Sequence, residues 1–505
     1  MGIRLILFQL HSFMQDFFCS GRIYDYHNKF AVTAFVLCPA ERRTEQWGGI
    51  AVINTKAFKA YDIRGIYPDE VNEELAYRVG KVFCALFGAE SVVAGCDIRL
   101  TGPKLLQALC DGLQDGGANV IDIGQCGTEM IYYATAYLHA DGGIMVTASH
   151  NPANYNGLKL VRRDARPVSG DTGLKEIEQM VKGDDFPHHL MAGKARGILV
   201  RQDVLKPYVE HILKYIDRSK MKPVKIVVNP GNGGAGAVLD ELEKFVPFRF
   251  VKINYEPDGT FPNGVPNPML EENRKYTIEA VLKHHADFGI AWDGDFDRCF
   301  FCDEKGKFVE GYYLVGLLAE NFLHKYPGCK IMYDPRLTWN TEEIVKSHGG
   351  TPVRCKSGHT YMKQCMREDG VIYGGEMSSH HYFRDFTFCD SGIITALIVS
   401  EMLCSCGKPL SELIGGMKEA FPCSGEINRK VSDGKAVLAK LKRKYKEGKA
   451  DTLDGLSVEF TDWRFNLRAS NTEPVIRLNV ETRGNKKLLE EKTQELLKEI
   501  GGEPA

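Results

Sequence analysis

Ile144-Met145-Val146-Thr147-Ala148-Ser149-His150-Asn151-Pro152 is an apolar run that stops at a hydroxyl, an imidazole and a proline. It reads as a buried strand feeding a turn, because Pro152 cannot donate to a continuing sheet. Upstream, Val120-Ile121-Asp122-Ile123 and Val92-Val93-Ala94-Gly95 are runs of the same kind, preceded by helix-length patterns over 103–116 and 72–87. Downstream come a helical pattern over 204–216, the run Ile226-Val227-Val228, a glycine loop and a second helical pattern over 238–245. Phe288-Gly289-Ile290-Ala291 then runs into Asp293. Strands separated by helix-length patterns predict parallel or mixed sheets with helices on their faces.

The 505 residues suffice for about three or four domains at roughly 150 residues each. Expected units are 55–203, 204–305, 306–421 and a smaller α+β unit at 422–505. Composition is that of an ordinary globular chain, with 44% hydrophobic and 26% charged residues. The net charge of -2 supplies no global field for nucleic acid or an anionic membrane, so neither is an expected partner. An anionic substrate has to be held by local clusters instead.

Fifteen cysteines, an odd number in a long chain, predict free thiols in a reducing cytoplasm rather than a disulfide scaffold. Cys299 and Cys302 have metal-site spacing but fall in an apparent strand, where side chains three apart point to opposite faces. Cys404 and Cys406 supply no second half of a zinc site. Residues 1–54 read differently from the rest. The apolar stretch 1–18 is interrupted by His11, Gln15 and Asp16 and falls short of a bilayer span. No small-residue cleavage site follows it. The expectation is an extension from an upstream start, with organised patterning beginning near Lys56.

Asp293-Gly294-Asp295-Phe296-Asp297-Arg298 sets three carboxylates at alternate positions beside a fixed positive charge. An extended segment projects all three to one side, where they repel one another unless a divalent cation joins them. A calcium loop is disfavoured, since Arg298 stands at its sixth position, which requires glycine. An aspartyl-phosphate phosphatase signature fails at Asp297. Ser149 offers a hydroxyl, and His150 and Lys159 supply the base or cation that an alcohol nucleophile needs. A phosphoryl-carrying hydroxyl and a carboxylate cluster for a hard cation are the two parts of a phosphoryl-transfer enzyme.

Gly231-Asn232-Gly233-Gly234-Ala235-Gly236 fits a dinucleotide fingerprint, yet no acidic residue stands near the required spacing, the next in that region being Glu256. A tight strand-to-helix turn accounts for it. No Gly-Lys pair is followed by Ser or Thr, so a P-loop is absent from the sequence. Gly374-Gly375-Glu376-Met377-Ser378-Ser379-His380-His381 combines a carboxylate, hydroxyls and imidazoles suited to a polyol. Arg468-Ala469-Ser470-Asn471-Thr472-Glu473-Pro474 combines a guanidinium, hydroxyls and an amide suited to phosphate oxygens.

In this order, the segments 147–152, 293–298, 375–380 and 468–474, with Tyr61-Asp62-Ile63-Arg64-Gly65 as a fifth, resemble those of the α-D-phosphohexomutase superfamily. The resemblance covers about 56–495. Within the superfamily it is similar to bacterial phosphomannomutases, through Gly127-Thr128-Glu129-Met130, Asp334-Pro335-Arg336-Leu337-Thr338-Trp339-Asn340 and the pair His380-His381. Cys96 departs from the small or basic residue of many members.

The resemblance implies three similar α/β domains with mixed sheets plus a C-terminal α+β domain around a central active-site cleft. It implies Ser149 as phosphoserine, with Asp293, Asp295, Asp297 and a phosphoserine oxygen as ligands of one Mg2+ per chain. Arg298, Lys159, His150 and His380 take catalytic roles by the same resemblance. Glu376 and Ser378 match a sugar-hydroxyl loop. Arg468, Ser470, Asn471 and Thr472 match a phosphate clamp supported by Tyr61, Arg64, Arg336 and His359. The implied reaction interconverts mannose 6-phosphate and mannose 1-phosphate through a hexose 1,6-bisphosphate that also serves as activator. A glucose or dual-specificity mutase is the first alternative, and a magnesium-dependent sugar-phosphate phosphatase a more distant one.

Overall fold

The computed structural model describes residues 53–182, 194–469 and 475–505. Residues 1–52, nearly all of the expected extension, lie outside the described residues, and so do Ser470, Asn471 and Thr472.

The described residues form four sheets. In the first, the strand Gly142–Val146 lies between Ser91–Cys96, to which it is parallel, and Tyr155–Arg162, to which it is antiparallel. Asn119–Gln125 and Leu199–Arg201 continue the parallel side, and Ile63–Ile66 closes the antiparallel side. The second sheet pairs Phe288–Trp292 parallel to Lys225–Asn229 and antiparallel to Cys299–Asp303. The third centres on Lys330–Tyr333 and Tyr373–Gly375, and continues antiparallel into His381–Phe383. The fourth is an antiparallel sheet with the helices Gly434–Lys444 and Lys486–Ile500, the expected α+β arrangement.

Local chemistry sets the element ends. The expected helix at 72–87 forms as Glu73–Phe87, because the Asn72 side chain accepts from Leu75 N and caps it, while Gly88 ends it in the left-handed region. The pattern at 204–216 yields the helix Leu205–Ile212 and then a 3₁₀ turn, Leu213–Tyr215. Cys299 and Cys302 stand on opposite faces of their strand and pack into separate apolar clusters. Each is a free thiol.

One apolar core runs continuously through the first three units, from Val93 to Phe421. A second fills the other face of the first sheet, from Ile53 to Val181. The fourth unit has its own cluster, Leu441 to Ile500, and meets the third through polar contacts described below. Among the described residues no single helix is long and apolar enough to cross a membrane.

Candidate active site

The strand Gly142–Val146 delivers Thr147, Ala148 and Ser149 to the edge of the first sheet. Ser149 is buried and sits in the left-handed region at φ 49°. That conformation costs a serine roughly 1–3 kcal/mol and persists only where the surroundings over-determine it. The Thr147 hydroxyl accepts from Ser149 N at 2.8 Å and donates to Asp97 Oδ2 at 2.6 Å. The buried Arg99 guanidinium donates to four carbonyls of the loop: Ser149 at 2.8 Å, Asn151 at 2.7 Å, Pro152 at 2.6 Å and Tyr155 at 2.9 Å. Its Nε faces Asp97 Oδ2 at 3.2 Å. Asp97 and Arg99 follow the strand Ser91–Cys96, so one sheet edge supplies both the loop and its clamp.

The acidic segment joins the antiparallel strands Phe288–Trp292 and Cys299–Asp303. It is a turn, not the extended segment expected from alternate carboxylates. Phe296 is left-handed at φ 46°, and its N–H donates to Asp293 O at 3.1 Å. The carboxylates converge because the chain folds back. Gly294 is required here, since a Cβ would lie 2.5 Å from the Ser149 carbonyl oxygen. This close approach brings Ser149 Oγ to donate to Asp293 Oδ2 at 2.9 Å.

Asp293, Asp295 and Asp297 are buried, and one oxygen from each lies within 4.8 Å of the others. Lys159 Nζ donates to Asp295 Oδ2 at 2.6 Å and Asp297 Oδ2 at 2.7 Å, and the Thr128 hydroxyl donates to Asp295 Oδ2 at 2.5 Å. Burial works against the charge on Lys159, but the two carboxylates overcome it and hold its pKa above the ordinary value. Burial likewise opposes ionisation of Asp295, yet Lys159 and Thr128 keep it below the usual carboxylate range. Burial and then the Asp295 charge push Asp297 up to about 6. Asp295 Oδ1 and Asp297 Oδ1 are buried and have no hydrogen-bond partner. Unpartnered buried oxygens in an all-oxygen donor set fit a hard divalent cation.

Arg298 Nη2 and Nε donate to Asp293 Oδ2 at 2.8 and 3.1 Å, and Nη2 also reaches His150 Nδ1 at 2.6 Å. A guanidinium can only donate, so this Nδ1 accepts and the ring proton sits on Nε2. Burial, then Arg298 and Arg64, hold the His150 pKa well below its usual value, which keeps the ring neutral. Ser149 Oγ lies 3.0 Å from the same Nδ1. Arg64 stands on the Ser149 side of the site: it donates to Asn151 Oδ1 at 2.9 Å and pairs with Asp62.

The third unit brings a second group. His380 Nδ1 faces Asp390 Oδ2 at 2.6 Å, and Asp390 Oδ1 pairs with the buried Lys363 Nζ at 2.7 Å. Imidazole and carboxylate atoms of His380, Asp297 and Asp390 fall within 4.8 Å of one another, which ties the sugar loop to the acidic turn. His359 stacks towards His380 at 6.2 Å and meets Tyr61 edge-on at 5.8 Å. Glu376 accepts from Tyr382 OH at 2.5 Å and from Gly358 N at 2.9 Å, with Arg336 Nη2 at 3.5 Å. Arg336 is held by both oxygens of Asp334 and donates to Ser378 Oγ at 3.3 Å. Arg468 reaches Asp454 Oδ2 at 3.3 Å. Burial, and then Tyr361, push the Tyr61 phenol up to about 12, against the nearby Arg468 charge.

Sequence reasoning left out Asp97, Arg99, Thr128, Lys363 and Asp390 as site residues. Asp97 and Arg99 carry one local signal, a charged pair just past a strand on the edge that bears Ser149. Lys363 and Asp390 carry none, because tertiary packing alone brings them to His380.

Models of the phosphoglucomutase/phosphomannomutase family match along the chain: alpha/beta/alpha domain I over 55–188, domain II over 206–306, domain III over 310–420 and the C-terminal domain over 426–499. The chain therefore belongs to the phosphoglucomutase/phosphomannomutase family. It is 55% identical over 442 residues to a protein of Xanthomonas campestris pv. campestris (strain B100) named for phosphohexose mutases, covering 87% of this chain and 98% of that one. A phosphomannomutase of Salmonella montevideo is 53% identical over 451 residues, covering 88% and 98%. A phosphoglucomutase/phosphomannomutase family protein of Burkholderia thailandensis superposes with a TM-score of 0.78 at 32% identity, covering 90% of this chain and 99% of that one.

Proposed function

We propose that the chain interconverts mannose 6-phosphate and mannose 1-phosphate through a phosphorylated Ser149 and a hexose 1,6-bisphosphate. It is an intramolecular phosphotransferase in this reading. The observation that carries it is Ser149, locked in a left-handed turn with its hydroxyl 2.9 Å from the first of three converging carboxylates. The identity to relatives named phosphomannomutase supports mannose as the sugar. The segments 55–203, 204–305, 306–421 and 422–505 are the units that each supply one loop.

Asp293, Asp295, Asp297 and an oxygen of phosphorylated Ser149 would hold a magnesium ion, whose charge offsets that of the transferring group. The free hydroxyl of the sugar phosphate attacks phosphorus, the bond to Ser149 Oγ breaks, and the hydroxyl proton passes to a cleft group. Lys159 and His380 flank the carboxylates; His380 is the group that takes this proton, and Lys159, kept charged by Asp295 and Asp297, can give one. Arg298 stabilises charge on the moving group. His150 accepts from Arg298 and keeps that guanidinium over the serine. The bisphosphate then turns over, and Ser149 takes the other phosphate.

Glu376 and Ser378 read sugar hydroxyls. Arg468, with Ser470, Asn471 and Thr472, grips the distal phosphate, supported by Tyr61, Arg336 and His359, while Arg64 serves the Ser149 side. Hexose 1,6-bisphosphate acts as activator because it rephosphorylates an empty serine. Free thiols at every described cysteine suit a cytoplasmic setting.

Phosphorus NMR of the protein with mannose 1-phosphate, magnesium and a trace of hexose 1,6-bisphosphate tests the proposal. Growth of a 6-phosphate signal at the expense of the 1-phosphate is expected. A parallel tube with glucose 1-phosphate ranks the sugars. Release of inorganic phosphate instead would replace the mutase with a phosphatase.

A further inference from the structure

We propose a second metal site, of a different chemical class, on the outer helices of the third unit: Glu320, His324 and His348 bind one borderline divalent ion of the zinc type. The site is independent of the proposed mutase chemistry.

Two helices build it. Gly311–Lys325 and Trp339–Ser347 meet where Gly316 faces Asn340 and Ile344; a Cβ on Gly316 would lie 2.3 Å from Asn340 Nδ2. Counting in fours from that contact, Glu320 and His324 follow Gly316 on one helix, and His348, the C-cap of the other, follows Asn340 and Ile344. Residues four apart share a helix face, so all three ligands extend the seam between the helices. Their donor atoms lie within 4.8 Å of one another, and the two imidazole rings meet edge-on at 5.3 Å.

The placing of His348 fits a metal ligand. Its Nδ1 lies 2.9 Å from the Ile344 carbonyl oxygen, which can only accept, so Nδ1 carries the proton. With that proton on Nδ1, the atom left to ligate is Nε2, which faces Glu320 Oε1 3.7 Å away. That gap is too long for a hydrogen bond. It is close to the spacing of two ligands on one tetrahedral ion, roughly 3.3–3.5 Å apart when each is about 2.0–2.1 Å from the metal. A backbone carbonyl that fixes the tautomer of a ligating histidine is the usual outer-shell support for such an ion. The nearby cations are engaged elsewhere: Lys346 pairs with Glu342 at 3.2 Å and Lys325 with Glu401 at 3.5 Å.

Two imidazoles and one carboxylate, with a position left for water, suit zinc, nickel or copper(II) and disfavour magnesium. The two sites thus sort ions by donor chemistry. All oxygens at the acidic turn take the hard ion, and nitrogen with oxygen at the helix seam takes the borderline one. A bound ion would clip the two helices together.

The test is equilibrium dialysis of the full chain against micromolar zinc chloride in excess magnesium at about pH 7.5, above the imidazole range, with metals counted by mass spectrometry. One zinc per chain is expected, with affinity at least about tenfold lower in His324→Ala and in His348→Ala. Both histidines are exposed, so these variants should fold, and circular dichroism checks each. Zinc held at the acidic turn would survive both substitutions and is distinguished in that way. Cobalt(II) gives a second readout, a tetrahedral absorption band present in the wild type and lost in either variant. Failure of the wild type to retain zinc, or retention by either variant equal to that of the wild type, would overturn the proposal.

Discussion

Ser149 does not choose its conformation; Arg99 and Asp97 impose it. Five donor contacts from one buried guanidinium fix the loop on which the proposed phosphoryl carrier sits. Removing the carrier is the plainest test. Ser149→Ala should lower turnover by at least ~10³-fold while sugar-phosphate binding survives, and activity near wild type would sink the assignment. The clamp makes a subtler prediction. Arg99→Lys keeps the charge but loses the planar fork that spans four carbonyls, so kcat should fall by roughly 10–100-fold with the fold intact. Stopped assays paired with circular dichroism separate that from unfolding, and an unchanged kcat would show that the loop holds itself. The sequence displayed Ser149, the three aspartates and Arg298, because each lies in a short local motif whose chemistry is visible without the fold. Arg99 and Asp97 showed only as a charged pair past a strand; their role stayed hidden because the carbonyls and the hydroxyl that they hold lie about fifty residues away.

At the scale of elements, the apolar runs and helix-length patterns named above were legible as strands and helices of the first two units, but the helices Thr128–Tyr137 and Glu271–His284, the strand Tyr155–Arg162 and the acidic turn were not. Alternation predicted an extended display of three carboxylates. The chain instead folds at Phe296, and convergence comes from the turn. Period-two reasoning holds only where the backbone stays extended. The seam between the third and fourth units is another feature without a sequence signal. Glu481, on the strand Val475–Thr482, is fully buried and accepts from Arg464 at 2.6 Å, from Thr338 N at 2.7 Å and from the Tyr312 hydroxyl. Arg464 in turn donates to the carbonyls of Pro335 and Arg336 at 2.9 and 3.1 Å. Glu481→Ala leaves a buried guanidinium without its counter-charge, which should cost about 3–5 kcal/mol. Denaturant unfolding measures the loss, and a change below about 1 kcal/mol would mean that water replaces the carboxylate.

Across the whole molecule, the first three units share one core while the fourth keeps its own, and a buried carboxyl with a strongly raised pKa lies where the first three meet. Glu129 marks the junction of the first three. It lies in the helix Thr128–Tyr137, accepts from Tyr208 of the helix Leu205–Ile212, and borders Ser391 at the cap of the helix Gly392–Cys406. Burial pushes its carboxyl up to about 8, against the opposing pull of Ser391, Tyr208 and the Ile393 amide. The sign follows from proton counting. An unfolded glutamate ionises near pH 4.3, whereas the folded one keeps its proton until about pH 8. Between those values the native state binds more protons than the unfolded state, so stability falls as pH rises and levels off above the folded value. The full span corresponds to roughly 3–5 kcal/mol. Glu129→Gln is neutral throughout and retains an acceptor for Tyr208. Its melting temperature should therefore lose the part of the decline between pH 5 and 8 that the wild type owes to this group, and should exceed the wild-type value at pH 8. Melting curves of both proteins across that range decide the matter. Parallel declines in the two would place the pH response at some other group and leave Glu129 ionised within the junction.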